Sequence, residues 1–493
     1  LYCAGHMLEG AVAYYHATGR DRLLSIMERY VAHIATEFGP GDGQRRGYPG
    51  HQEIEIALIR LYHARGDTGH LDLARYFIDE RGRAPHYFDI EAKARGEEPS
   101  AFWARTYEYN QSHLPVREQT KVVGHAVRAM YMYAAMADLA AEDGDDDLLK
   151  ACETLWDDIT TKRMYVTGGF GPSASNEGFT TDYDLPNDTA YAETCASVAM
   201  VFWASRMLNI DLNGRYGDIL EQALYNNVLA GLSLDGEHYF YDNKLESDGS
   251  HARWEWHPCP CCTMNVSRLL ASIGGYVFST GDRELAMHLY GGATTNVEMG
   301  GVPVRVEERS NYPFDGDIRI DVAPEEPVDF TLSLRLPSWA RDVSIRVNNV
   351  PEPLDIVKGY ARISRTWMSG DHVELVLPMP PERVHADPRV RQDLGRVALR
   401  RGPVIHCVED HDHDVPVTQM RLPRDADLGT APHEALLPGM TAITARAQVL
   451  QRDEDAPLYS SQAPQAMPAT MTAIPYFLWA NRGPNRMSVW ILE

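Results

Sequence analysis

Along the first half of the chain, apolar residues recur at three- and four-residue spacing, interrupted by short turns rich in Gly and Asp. That pattern predicts amphipathic helices joined as hairpins. Tyr15-His16-Ala17-Thr18-Gly19 returns as Tyr62-His63-Ala64-Arg65-Gly66, and an amphipathic run follows each copy, Leu23 to Phe38 and Leu71 to Ile78. The theme comes back more loosely from Met130 to Trp156 around Asp143-Gly144-Asp145, and from Val198 to Leu229 around Asp211-Leu212-Asn213-Gly214. At least four helical hairpins are expected. Such hairpins either stack as an open solenoid or close into a helical toroid whose central pocket is lined by interhelical loops. The loops here are rich in His, Glu, Asn and Cys, which favours the closed ring.

Beyond about Ser279 the period changes to strict alternation. Phe330-Thr331-Leu332-Ser333-Leu334-Arg335-Leu336 and Val343-Ser344-Ile345-Arg346-Val347 read as half-buried antiparallel strands, punctuated by Pro337-Ser338 and Asn348-Asn349. Pro-rich stretches from Pro378 to Pro388 and from Arg421 to Pro438 read as connectors. The expected division is a helical domain over 1–278, a β-sandwich over 279–384 and a second, less regular β-sandwich over 385–493.

Charge narrows the partners. The 493 residues carry 46 Lys+Arg against 70 Asp+Glu, a formal charge of −24, so nucleic acid and anionic membrane surfaces are poor partners. No apolar run approaches the roughly 18 residues that a membrane span needs. Seven cysteines are an odd number, and three of them crowd into His257-Pro258-Cys259-Pro260-Cys261-Cys262. This favours free thiols or metal ligands in a reducing compartment, hence a cytoplasmic protein. The chain opens at Leu1-Tyr2-Cys3 in mid-pattern and without Met, so an earlier segment, with any signal peptide it held, is expected to be missing.

Thiolate and carboxylate donors at close spacing are what a zinc site needs, and Glu193, Cys195, Cys261 and Cys262 supply four. Neither pair can face one ion from a regular strand or a single helix face, which points to irregular backbone at helix starts. Cys3, Cys152 and Cys407 stand alone and read as small buried hydrophobes. Glu177 lies in the loop Gly168 to Gly178, rich in Gly, Ser and Asn, where a carboxylate either reaches a ligand or is simply solvated. His6, His51, His113 and His125 stand at expected helix boundaries, suited either to hydrogen bonding a polyol or to capping. His16, His33 and His63 fall within helices.

The combination of Tyr2-Cys3-Ala4-Gly5-His6, Gly50-His51-Gln52-Glu53, Gln111-Ser112-His113-Leu114-Pro115-Val116-Arg117-Glu118-Gln119 and Gly124-His125-Ala126-Val127-Arg128-Ala129 resembles glycoside hydrolase family 127, the bacterial β-L-arabinofuranosidases. Thr167-Gly168-Gly169, Glu193-Thr194-Cys195, Cys261-Cys262 and the closing Ile474-Pro475-Tyr476 with Trp479-Ala480-Asn481-Arg482-Gly483 extend the resemblance over nearly the whole chain. It implies an (α/α)6 barrel followed by β-sandwich domains. It also implies Zn2+ held by Glu193, Cys195, Cys261 and Cys262, with Cys261 as nucleophile, Glu177 as acid/base, and His6, His51, His125 and Tyr241 on the sugar. In one departure, Thr263-Met264-Asn265 follows the Cys pair where the family pattern has Pro-Pro-Asn.

The implied activity is retaining exo-hydrolysis of a terminal β-L-arabinofuranoside. Three alternatives stay open at this point: a glycosidase for a different pentose-like sugar, an inverting hydrolase with structural zinc using Glu177 with Asp182 or Asp184, and a non-catalytic carbohydrate-binding protein. The expected partner is a small glycoside or oligosaccharide, with a homodimer through the β domains.

Overall fold

The structure is a computed structural model that describes residues 1–99, 106–433, 435–452 and 455–493. Helices α1 (Tyr2–Thr18) and α2 (Arg22–Glu37) form the first hairpin, and α3 (Ile54–Arg65) and α4 (Thr68–Glu80) the second. The repeated motif explains itself physically: Gly19 and Gly66, the last residue of each copy, both take the left-handed conformation that ends a helix. After α5 (Tyr87–Ala94) come α6 (Ala126–Asp143) and α7 (Asp146–Lys162), whose Asp145 side chain accepts the Leu148 amide as an N-cap. Then α8 (Thr194–Ile210) is followed by α9 (Gly214–Gln222), which runs on as a π-helical turn, Ala223–Val228, and by α10 (Cys261–Ala271). The helices of all four predicted hairpins are present, and in the first three the two helices pack on each other.

The chain divides into two compact units. The first comprises Leu1–Met164, Phe170–Asp184 and Phe202–Ile210; the second comprises Tyr165–Gly169, Leu185–Val201 and Asp211–Glu493. In the first, α3 packs on α1, α4 and α6, and the rings of Tyr133, Trp156 and Trp203 meet in its core.

The second unit carries the sheets. Five- and six-stranded sheets turn residues such as Leu285, Leu332, Val304 and Val373 into one shared core. The alternation legible in the sequence appears as strands Val328–Arg335 and Ser344–Val347. The remaining strands join one ten-stranded sheet, in which the strands Arg396–Arg401 and Val404–Glu409 also pair with each other. The parallel pair Arg421 with Leu492 and the antiparallel pairing of Glu246–Asp248 with Arg486–Ser488 help to make it continuous.

Both Pro-rich connectors contain strands, Pro381–Val384 and Leu428–Pro432. Among the described residues each pairs along one side only, an edge position where proline is tolerated. Glu434, in the second connector, lies outside the described residues. Cys152 and Cys407 are buried as expected, but Cys3 is exposed. It shares a helix face with exposed Met7, four residues on, while Ala4 and Leu8 turn inward. Among the described residues no helix is long and apolar enough to cross a membrane.

Candidate active site

Two helix starts in the second unit bring the four predicted donors together. Glu193 immediately precedes α8 and Cys195 is its second residue, while Cys261 and Cys262 open α10. Cys195 Sγ lies 3.4 Å from Cys262 Sγ, and Cys261 Sγ lies 3.9 Å from Cys262 Sγ. Glu193 Oε1 is 3.7 Å from Cys261 Sγ and 3.8 Å from Cys262 Sγ. A tetrahedral ion with metal–sulfur bonds of about 2.3 Å spaces its sulfur ligands about 3.8 Å apart. The donor set therefore fits a thiophilic metal ion, one ligand atom from each residue lying within 4.8 Å of every other.

Local backbone explains how Glu193 reaches this cluster. Ala192 sits at φ 37, a conformation unfavourable for a residue with a Cβ. Its carbonyl is clamped by two buried amides, from Asn227 Nδ2 at 3.1 Å and Asn243 Nδ2 at 2.9 Å. Asn227 belongs to the π-helical turn after α9, where the irregular backbone re-aims a side chain. The Thr194 amide donates to the Tyr241 carbonyl at 3.0 Å, tying α8 to the segment whose tyrosine hydroxyl lies 3.4 Å from Cys261 Sγ.

The thiols are not equivalent. Hydrogen bonds from the Cys195 and Cys262 thiols hold the Cys261 sulfur well below the ordinary thiol range, whereas burial pushes Cys195 and Cys262 up. A bound divalent ion stabilises all three as thiolates.

The first unit assembles a second group. His125 caps α6: its Nδ1 accepts from the amides of Val127 at 3.2 Å and Arg128 at 3.4 Å. The ring proton is thereby fixed on Nε2, which donates to Glu177 Oε2 at 3.1 Å. Capping and site chemistry are one arrangement. Glu177 itself stands at φ 48. Gly178 beside it lets the loop close on the start of α6, since a Cβ there would lie 1.8 Å from the Gly124 carbonyl oxygen.

His51 Nδ1 donates to the Gln52 carbonyl at 2.6 Å, and burial together with the nearby Arg128 charge drives its pKa well down. The ring stays neutral and presents the Nε2 lone pair. His6 Nδ1 donates to buried Glu53 Oε1 at 3.0 Å, a reach made possible because Gly5 lets α1 close on the start of α3. The His51 and His125 ring centroids are 5.4 Å apart, and Tyr2 lies 4.5 Å from His6 and 4.4 Å from His51. His113 is half-buried, and burial pushes its pKa down. Asp182 pairs with Arg163, which also holds Asp158.

Three domain descriptions match the chain end to end: the β-L-arabinofuranosidase, GH127 catalytic domain over 1–275, the GH127 middle domain over 284–379 and the glycoside hydrolase family 127 C-terminal domain over 381–492. The chain belongs to glycoside hydrolase family 127. A family relative, the non-reducing end β-L-arabinofuranosidase of Bifidobacterium longum subsp. longum, is 37% identical over 99% of this chain and 78% of its own length. The structure of a GH127 β-L-arabinofuranosidase from Geobacillus stearothermophilus T6 superposes with a TM-score of 0.97 at 46% identity, covering 100% of this chain and 80% of that one. The β-arabinofuranosidase BT3674 superposes at 0.91 with 37% identity, covering 100% and 76%.

As a family 127 member the protein is a glycoside hydrolase, so the non-catalytic reading falls away. Several supporting residues of this hydrolase went unassigned in the sequence. Glu53, Tyr2 and Arg128 lie inside the motifs Gly50 to Glu53, Tyr2 to His6 and Gly124 to Ala129, and proximity to the histidines was their only signal. Arg128 donates to the Gly50 carbonyl and lies 4.5 Å over the Tyr109 ring. Asn227 and Asn243 carried no signal, since only the fold brings them to Ala192. At the family departure, Thr263 Oγ1 donates to the Pro260 carbonyl at 2.9 Å and Met264 is exposed, so both positions continue the first turn of α10 without reaching the donors.

Proposed function

We propose that this hydrolase releases terminal β-L-arabinofuranosyl groups with retention of anomeric configuration, using Cys261 as nucleophile and Glu177 as acid/base. Three thiols and one carboxylate gathered at two helix starts carry the reading, because a cluster so costly to bury calls for a cation and offers a sulfur nucleophile. Zinc is the ion proposed, held by Glu193, Cys195, Cys261 and Cys262. When bound it supplies the positive charge that keeps the sulfurs anionic and makes the Cys261 thiolate a better leaving group. The architecture proposed is an (α/α)6 barrel over 1–278, with β domains over 279–384 and 385–493.

In the first step Glu177 protonates the glycosidic oxygen while Cys261 Sγ attacks the anomeric carbon, and the aglycone leaves as an alcohol. In the second, ionised Glu177 takes a proton from water, which attacks the same carbon and expels the Cys261 sulfur. Two inversions give net retention. His125 orients Glu177 through its fixed Nε2–H, and it also favours the ionised carboxylate that the second step begins from. The neutral His51 ring presents an acceptor to a sugar hydroxyl, and His6 and Tyr241 complete the proposed sugar contacts. Asp182 is committed to Arg163, which leaves the inverting pairing of Glu177 with Asp182 without support.

Product stereochemistry is the direct test. Proton NMR during hydrolysis of an aryl β-L-arabinofuranoside is expected to show the β-anomer first, and initial α-anomer would end the double-displacement reading. Metal analysis of the purified protein is expected to find one zinc per chain.

A further inference from the structure

The segment between Tyr239 and Cys261 carries two exposed tryptophans that the proposed chemistry does not use. Trp254 is 42% exposed and Trp256 66%. Trp254 is fixed in place: its amide donates to the Tyr239 carbonyl at 2.7 Å and its carbonyl accepts from the Tyr239 amide at 3.0 Å. From its ring a chain of aromatic contacts leads inward. The His257 ring lies 5.0 Å from Trp254 at an interplanar angle of 82°, and 4.7 Å from Tyr241. The Tyr241 hydroxyl is the group 3.4 Å from Cys261 Sγ. The His257 position is pinned as well, because its Nδ1 accepts the Cys259 amide at 3.1 Å.

An anchored, half-exposed indole joined ring by ring to the proposed nucleophile is what a sugar-stacking surface requires. Pyranose and furanose rings offer apolar C–H faces to aromatic planes, and a large rigid aromatic supplies that contact at little entropic cost. A terminal sugar attacked at Cys261 leaves its aglycone to extend away from the sulfur, and Trp254 is the exposed end of a run of rings that leads outward from it through Tyr241 and His257. We propose that Trp254, backed by His257, forms the platform for the sugar residue on the leaving-group side of the scissile bond. This rests on Cys261 acting as the nucleophile toward a glycoside.

The test compares two substrates in one protein: a β-L-arabinofuranosyl disaccharide, which fills the platform, and methyl β-L-arabinofuranoside, which does not. Trp254→Ala is expected to lower kcat/KM about tenfold for the disaccharide and to leave the methyl glycoside within about twofold of wild type. Trp254→Phe should recover most of the loss, and Trp256→Ala should give none. Equal losses on both substrates, no loss on either, or a loss confined to Trp256→Ala would overturn the platform. Failure of the parent reading looks different: Cys261→Ser would then keep turning over both glycosides. Calorimetric binding of the disaccharide to Glu177→Gln protein, with and without Trp254→Ala, reads the platform apart from turnover. About tenfold weaker binding is expected, and unchanged binding refutes it.

Discussion

Two polar clusters buried in the second unit are resolved in opposite ways. In one, Arg335 is fully buried with Glu221 and Asp218 as its partners, Nη1 donating to Asp218 Oδ1 at 2.8 Å. Glu221 also accepts from the Tyr312 hydroxyl and, at 3.0 Å, from Trp339 Nε1, while Arg335 Nε donates to the His288 carbonyl at 2.6 Å. Every formal charge there has an opposite or a donor within the protein. In the other, Glu193, Cys195, Cys261 and Cys262 are four groups that all become negative on ionising. The first cluster closes on itself and holds helix to sheet. The second stays unbalanced until something outside the chain is added, and that imbalance is what chemistry can use.

Substitutions at the two clusters should therefore fail differently. Removing the reacting sulfur by Cys261→Ser should lower kcat for an aryl β-L-arabinofuranoside by about 10⁴-fold or more. Single-turnover kinetics check this, and a mild loss would mean that the unbalanced cluster is only structural. Arg335→Met leaves Glu221 buried without its cation and should cost about 3–5 kcal/mol of stability. Urea unfolding reads that loss, and zinc content per folded chain should be unchanged.

Glu177→Gln should slow poor leaving groups by about 10³-fold and activated aryl leaving groups far less. A flat loss across a leaving-group series would remove the acid role. The smallest effect is expected from Asn227→Ala, about 1–2 kcal/mol of stability. It should come with weaker zinc retention under a competing chelator, because the Ala192 carbonyl then loses one of its two amide clamps.

How far this contrast was legible in the sequence depends on range. The hairpins and the strand over Val328–Arg335 are local, since a 3.6- or 2-residue period and a Gly turn suffice to announce them. The donors were visible as residue types, and Cys261-Cys262 signalled irregular backbone that turned out to be a helix start. Prolines misled, because Pro381 and Pro432 sit in strands that, among the described residues, pair along one side only. Nothing local foretold that Asn227 and Asn243 would converge on Ala192, that Glu246–Asp248 would pair with Arg486–Ser488, or that Arg335 would find Glu221. Each of these depends on chain segments far apart in sequence. The role of His125 was readable only as a choice between cap and site, and the ring does both through its two nitrogens.

The Arg335 cluster has a practical corollary for anyone who wishes to shorten this molecule. The catalytic and middle family descriptions meet between 275 and 284, which looks like a natural place to cut. Glu221 and Asp218 lie before that junction and Arg335, Tyr312 and Trp339 after it. A fragment ending at the junction would carry Asp218 and a buried Glu221 stripped of their guanidinium, so the cut that the sequence boundary invites would leave an uncompensated charge inside the helical part.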